Sequence, residues 1–221
     1  MIKFKIFHTI RGVILNYYEV AVKVEEVYGE LEDEVYRLKC KSNLKCIENC
    51  GHCCYKEDVE DTILSFIPLA IYLWEKNLSE YWLNRIKNSE YRGRCIFFEE
   101  NTDIIDGGKC TIYEKRGLIC RLFGFSGNLL KNGEKIFYPC KILKNKNSNA
   151  INKVNDMILN GEKIPIMSEY AYKLMSIDLD LATKRYPINT AIRYALEKVG
   201  NYFYYETEYK IESELLEEEA I

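Results

Sequence analysis

Residues 39–55 read KCKSNLKCIENCGHCCY. The stretch carries five cysteines and few aliphatic side chains, too little apolar surface for a core element, so it predicts a ligand-bearing loop. Cys46, Cys50 and Cys53 are separated by three and two residues, and the three thiols converge if the loop curls around an ion. Gly51 permits the tight backbone such a wrap requires. Cys54 follows directly. Adjacent side chains in extended backbone point to opposite sides, so Cys53 and Cys54 serve together through a local kink or at two neighbouring centres. A cluster of this kind needs distant partners, and Cys95, Cys110, Cys120 and Cys140 are available.

Outward from this loop the pattern is helical. Tyr17, Ala21, Val24, Tyr28, Leu31, Val35 and Leu38 recur at steps of three and four, which predicts a helix over 17–38 packed on the domain. Ser65 is placed to cap a helix to about Lys76, with Pro68 in its first turn, and a short helix follows Ser79 to about Lys87. From Gly93 to Cys140 short apolar stretches alternate with glycines. Loops and small hairpins are expected there, Asn132-Gly133 marking a tight turn. Helical signals return after Lys141: Ala150–Asn160 ending at Gly161, a helix capped by Ser168, and Asn189–Val199 ending at Gly200. The acidic tail from Tyr205 is at least partly helical. The fold class expected is mainly α with a small irregular and β part, helices surrounding a loop-rich, cysteine-ligated metal centre. One domain spans 1–221, with a cysteine core at about 40–145 flanked by helix 17–38 and a helical region 150–221.

Composition removes several classes. At 221 residues, 48% hydrophobic and 29% charged, the chain can bury a real core. A net charge of −3 without a basic block argues against nucleic-acid binding by phosphate neutralisation. The first residues are broken by Lys3, Lys5, His8 and Arg11 and offer no clean apolar signal core. The longest apolar run, Phe66 to Trp74, falls well short of the ~20 residues of a membrane helix. A cytoplasmic, non-membrane protein is expected, and in that compartment nine cysteines, an odd number, favour metal-binding thiolates over disulfides. No phosphate loop or dinucleotide fingerprint occurs, and two histidines cannot build a Ser–His–Asp triad.

Sulfur-only donors suit zinc or iron–sulfur clusters and not magnesium or calcium. The candidate ligands are Cys46, Cys50, Cys53, Cys54, Cys95, Cys110, Cys120 and Cys140. Eight thiols match two four-cysteine sites, or one centre with spare thiols. Cys40 falls outside the pattern and is expected to pack on the helix face, and His52 is expected to be a loop residue.

The motifs CIENCGHCC, GRCIFF and GGKCTIYEKRGLICRLF occur in order, and together the chain resembles the YkgJ-like cysteine-cluster proteins over roughly residues 46–140. The CxxCxxCC domain of that family is described as zinc- or iron-chelating. Cys46, Cys50, Cys53, Cys54, Cys95, Cys110 and Cys120 fall individually on family cysteines, and Cys140 takes the place of a late one. The chain departs from the pattern in the three residues between Cys46 and Cys50, and in Gly117, where the family often has proline. Tyr113, Arg116 and Arg121 accompany the cysteines; the two arginines either offset thiolate charge or brace loop carbonyls. The function expected is an iron–sulfur protein, 4Fe-4S in type, that transfers electrons or supports a protein-modifying reaction, since relatives include flagellin lysine methylases. Its partners would be metal ions and a redox or protein partner. Two alternatives stand beside it. One is a zinc-stabilised interaction module. The other is a radical S-adenosylmethionine enzyme, whose three-cysteine spacing Cys46, Cys50 and Cys53 reproduce.

Overall fold

Asn16 opens the first described helix of the computed structural model, its Oδ1 accepting the backbone N–H groups of Tyr18 (3.0 Å) and Glu19 (3.3 Å). This satisfies two of the donors that a helix start leaves unpaired. The helix, α1 (Tyr17–Ser42), runs four residues past the expected end and stops where Asn43 turns left-handed at φ 62. The structure describes residues 16–47, 50–88, 94–101 and 107–218, with side chains to residue 205. The reading of the first residues as lacking a signal core, and Gly93, lie outside the described residues.

Along the chain follow α2 (His52–Tyr55), β1 (Glu60–Thr62), a 3-10 turn (Leu64–Phe66), α3 (Ile67–Glu75), α4 (Ser79–Asn88), β2 (Phe98–Asn101) and β3 (Gly107–Cys110). Next come α5 (Leu118–Leu122), β4 (Gly127–Leu129), β5 (Lys135–Phe137), α6 (Lys141–Lys146) and α7 (Ser148–Leu159). The chain closes with α8 (Met167–Ile177), α9 (Leu179–Thr183), β6 (Arg185–Pro187) and α10 (Ile188–Glu218). The protein is mainly α, as the periodicity implies.

The buried face of α1 is Val20, Ala21, Val24, Tyr28, Leu31, Val35 and Leu38, the predicted stripe with Val20 in place of the half-buried Tyr17. The helix meets α3, α7 and α8. The longest apolar run of the chain forms α3, and the run is apolar all round because α10 covers the side that α1 leaves free. Among the described residues no helix is long and apolar enough to cross a membrane. Each fully buried Leu or Ile in this sandwich, such as Leu31, Ile67 and Leu196, contributes about 1.5–3 kcal/mol of transfer free energy.

Three further boundaries differ from expectation. Ser65 does not cap α3: it lies inside the preceding 3-10 turn, its hydroxyl donating to Asp61 Oδ1 at 2.7 Å. Ser168 is the second residue of α8, which Ile166 precedes as cap. Gly200 does not end the last helix. It lies within α10, where an added Cβ would fall 2.4 Å from the Trp74 ring, so glycine is there for close packing.

The strands pair antiparallel in separate two-stranded ribbons. Two are the expected hairpins, β2–β3 and β4–β5. In the second the Asn132 side chain accepts the Glu134 N–H, and Gly133 takes φ +85. The third, β1 with β6, joins residues far apart in sequence and has no local signal. It ties the start of α10 to the segment ahead of α3, with Ile188 N–H donating to Val59 O at 2.9 Å.

Candidate metal centre

Gly51 carries the left-handed backbone that the loop requires, at φ +52. Its carbonyl accepts the N–H groups of Cys54 (2.8 Å) and Tyr55 (3.2 Å), closing the helical turn α2. Any Cβ there would lie 2.5 Å from the Phe98 ring and 2.7 Å from the Gly108 carbonyl, so the turn sits directly on the β2–β3 hairpin. Cys53 and Cys54 are therefore helical neighbours and not extended ones. Their side chains leave the axis about 100° apart, a local kink in place of the extended arrangement.

Backbone bonds bring the next thiols in. Cys95 N–H donates to Cys54 O (3.0 Å), and Phe98 N–H to Cys95 O (3.0 Å). Phe98 stands opposite Cys110 in the hairpin register. Asn189, at the start of α10, grips this segment from behind. Its Oδ1 accepts the Ile96 N–H at 2.8 Å, and its amide donates to Arg94 O at 2.6 Å. Ile96 and Phe97 are buried, so Cys95 is fixed by packing and hydrogen bonds together.

Cys120 arrives on α5, a single turn whose start lacks a local capping side chain. The cap is tertiary. Asp61, 4% exposed, accepts the Ile119 N–H at 3.0 Å with Oδ2, while Oδ1 takes the Thr62 N–H (2.8 Å) and the Ser65 hydroxyl. Burial pushes this carboxyl above its usual range, and the three donors partly restore its charge. Gly117 precedes α5 with φ −69 and ψ 176, angles proline also adopts. A Cβ there, however, would meet the Phe66 ring at 2.7 Å and Asp61 Oδ2 at 2.8 Å. The departure from the family's proline is thus matched by Phe66 and Asp61 filling the space.

Cys140 caps α6, its sulfur accepting the Leu143 N–H at 3.4 Å. Cys46 is exposed and Cys50 half-buried, with Cys50 N–H donating to Ile47 O at 3.3 Å. Their loop is held to the far side by Asn147, whose amide donates to Lys45 O at 3.0 Å. His52 opens α2 half-buried. Cys40 does not pack on the helix face as expected; it is exposed and hydrogen-bonds with Tyr36.

The thiols perturb one another. Cys54 hydrogen-bonds with Cys110, Cys53 and Cys95, which holds its own proton far above the usual thiol range. The same bond from Cys54 pulls Cys53 down to about 6, helped by the Arg116 charge, and lowers Cys110 as well. Burial raises Cys120, with further repulsion from Cys95, Asp61 and Cys53. Cys46 reaches solvent at the rim, yet enough protein surrounds it to raise its thiol, and Cys50, Cys53 and Cys140 add repulsion. Cys53 is a charge neighbour of Cys46, Cys54, Cys110 and Cys120.

The two arginines divide the roles expected of them. Arg116 bonds Tyr113 O (2.7 Å) and lies over the Tyr113 ring at 3.5 Å, and its charge acts on Cys53, Cys110 and Cys120. Arg121 is 8% exposed and bonds Arg116 O (2.9 Å) and Glu114 O (2.6 Å). It also pairs with Glu32 and covers the Tyr28 ring. Arg121 braces the loop against α1. Lys39, which the sequence reading did not single out, is a second cation near the thiols, within electrostatic reach of Cys46 and Arg116. Asp61 and Asn189 were also missed, because each acts on a residue more than fifty positions away.

A donor set of clustered thiolates would fit zinc or iron and not a hard cation. Among the described residues no three Cys, His, Asp or Glu side chains stand in a metal-coordinating arrangement. A family model described as "Putative zinc- or iron-chelating domain", with the cysteine signature CxxCxxCC, matches residues 45–155, about half of the chain. No curated protein and no solved structure matches.

Proposed function

Because the chain belongs to the CxxCxxCC family of zinc- or iron-chelating domains, we propose that its clustered cysteines ligate iron in an iron–sulfur centre, 4Fe-4S in type. The centre serves electron transfer or supports a reaction on a protein partner. The single observation that carries this is that cysteine-bearing segments far apart in sequence are bonded together, Cys95 N–H to Cys54 O with Phe98 opposite Cys110, in a chain whose eight pattern cysteines exceed what one structural zinc ion takes. When bound, such a centre supplies one-electron chemistry. The chain's own part is to hold thiolates and to offset their charge. Arg116 and Lys39 stand within electrostatic reach for the second task. Asp61 and Asn189 serve the first by fixing the backbone beside Cys120 and Cys95. The radical-enzyme alternative draws no support from the fold, in which the described strands form separate two-stranded ribbons and no parallel sheet.

Protein purified without oxygen should be brown and contain acid-labile sulfide. Colourless protein with stoichiometric zinc would replace this reading by that of a zinc-stabilised interaction module, closed and non-catalytic.

A further inference from the structure

We infer that the lysine-rich face formed by the end of α1, the end of α6 and the start of α7 is the docking surface for an acidic protein partner, whose carboxylates enter the cavity between Lys146 and Lys153. This deepens the reading of a centre that works with a protein partner. It rests on that reading for the partner's role, while the surface stands on its own observations.

Two segments far apart in sequence build the face. Residues 39–47 and 135–155 hold eight lysines and neither aspartate nor glutamate, in a chain whose net charge is −3. Neither segment is a basic block by itself, and the fold adds them together. Asn147, between α6 and α7, donates its side-chain amide to Lys45 O at 3.0 Å. Asn147 also forms part of the wall of a cavity of about 290 Å³, to which Asn43 from the end of α1, Lys146, and Ser148, Asn149 and Lys153 of α7 contribute. Apart from Ala150 every lining residue is polar or cationic, and none is a carboxylate.

The charge on this face is uncompensated. Lys45, Lys146 and Lys153 are exposed, and among the described residues none of them pairs with a carboxylate. Lys41, by contrast, is paired with Glu162. Like charges gathered round a concave wall focus a positive potential, which a facing acidic patch relieves. A nucleic acid fits less well. The two segments contain no arginine, the side chain that grips phosphate bidentately. A long polyanion, whose affinity grows with each phosphate neutralised, would also meet the net negative charge of the rest of the chain. An acidic patch on a folded protein needs this face alone. The position suits a partner of the centre: Cys46 follows Lys45 directly and is exposed, and Cys140 precedes the helix that Lys146 ends. A protein seated here lies beside Cys46, where the cysteine loop meets solvent.

The test uses the full chain and a fluorescein-labelled polyglutamate peptide, with binding read by anisotropy at low salt. Wild type should bind the peptide, more weakly as salt rises. Lys146→Glu with Lys153→Glu should weaken binding about tenfold or more. Lys23→Glu with Lys87→Glu, the same change in net charge on exposed positions of α1 and α4 outside both segments, should alter it by less than about twofold. Carbodiimide, which joins carboxylates to lysine amines, should cross-link the peptide to Lys45, Lys146 or Lys153, located by mass spectrometry. Equal weakening by the two pairs of substitutions, or cross-links spread evenly over the lysines, would overturn the docking face. Tighter binding of a single-stranded oligonucleotide of the same charge would replace the acidic protein by nucleic acid, and displacement of the peptide by equimolar inorganic phosphate would replace it by a small anion. Self-association of wild type that Lys146→Glu with Lys153→Glu abolishes would assign the face to a second copy of the chain instead. Iron, zinc and sulfide are measured on the same samples. Protein that binds the peptide at this face but no metal would overturn the proposed function and leave the docking surface standing.

Discussion

At the scale of single residues, Arg116 and Arg121 are five positions apart yet do different work. Arg121 is buried, its guanidinium committed to two backbone carbonyls and Glu32. Glutamine cannot span those acceptors and would leave part-buried carbonyls unpaired. Arg121→Gln should therefore cost about 2 kcal/mol of stability, read from the urea midpoint. Arg116 is half-exposed, and its charge bears on three thiols. Arg116→Gln should change stability by less than about 1 kcal/mol but move the reduction potential of the bound centre downward, since a compensating charge is lost. A potential unchanged by Arg116→Gln, in protein that keeps its metal, would remove the charge-offsetting role. The five-residue spacing is visible in sequence, but which guanidinium faces the thiols depends on where α1 places Glu32 and Tyr28.

At the scale of elements, glycine distinguishes helix propensity from packing. Gly29 lies in α1 with nothing within 4 Å of an added Cβ, so Gly29→Ala should gain about 0.5–1 kcal/mol from reduced chain entropy. Gly200 lies in α10 and would gain the same propensity, but its Cβ would strike the Trp74 ring. That ring is pinned, its Nε1–H donating to Leu196 O at 2.9 Å. Gly200→Ala should therefore lose roughly 1–3 kcal/mol net, as overpacked sites do. Thermal unfolding of the two variants side by side checks the opposite signs. A Gly200→Ala protein as stable as Gly29→Ala would mean that α3 and α10 can move apart freely.

At the scale of the whole molecule, most of the core lies among the helices, with Cys54 and Cys95 buried in it and Cys53, Cys110, Cys120 and Cys140 packed against it. The sandwich of α10, α3, α1 and α8 buries Val24, Leu31, Ile67, Leu73, Leu174, Ala195 and Val199 without a cysteine. Small zinc domains unfold when stripped because they have no such core. Chelation here should leave far-ultraviolet circular dichroism nearly unchanged, while amide hydrogen exchange rises in the segments around the eight cysteines. A cooperative loss of helicity on chelation would show that the core depends on the metal after all.

The amino-acid sequence by itself determined the helices and the donor chemistry. A stripe at steps of three and four on α1 must be buried by something, and an unbroken apolar run such as α3 must be buried on every side. Clustered sulfur selects soft metals whatever the fold. The tertiary structure decided what neighbouring positions cannot encode. Glycine 200 read as a stop because its signal is local, whereas the Trp74 ring that requires it lies 126 positions away. Ser65 read as a cap for the same reason, until Asp61 engaged its hydroxyl and reached across to α5. The β1–β6 ribbon and the Asn189 grip on Cys95 likewise join distant segments. Side-chain periodicity reports only that a face is covered; which partner covers it, and which thiols become neighbours, follows from chain closure over long distances.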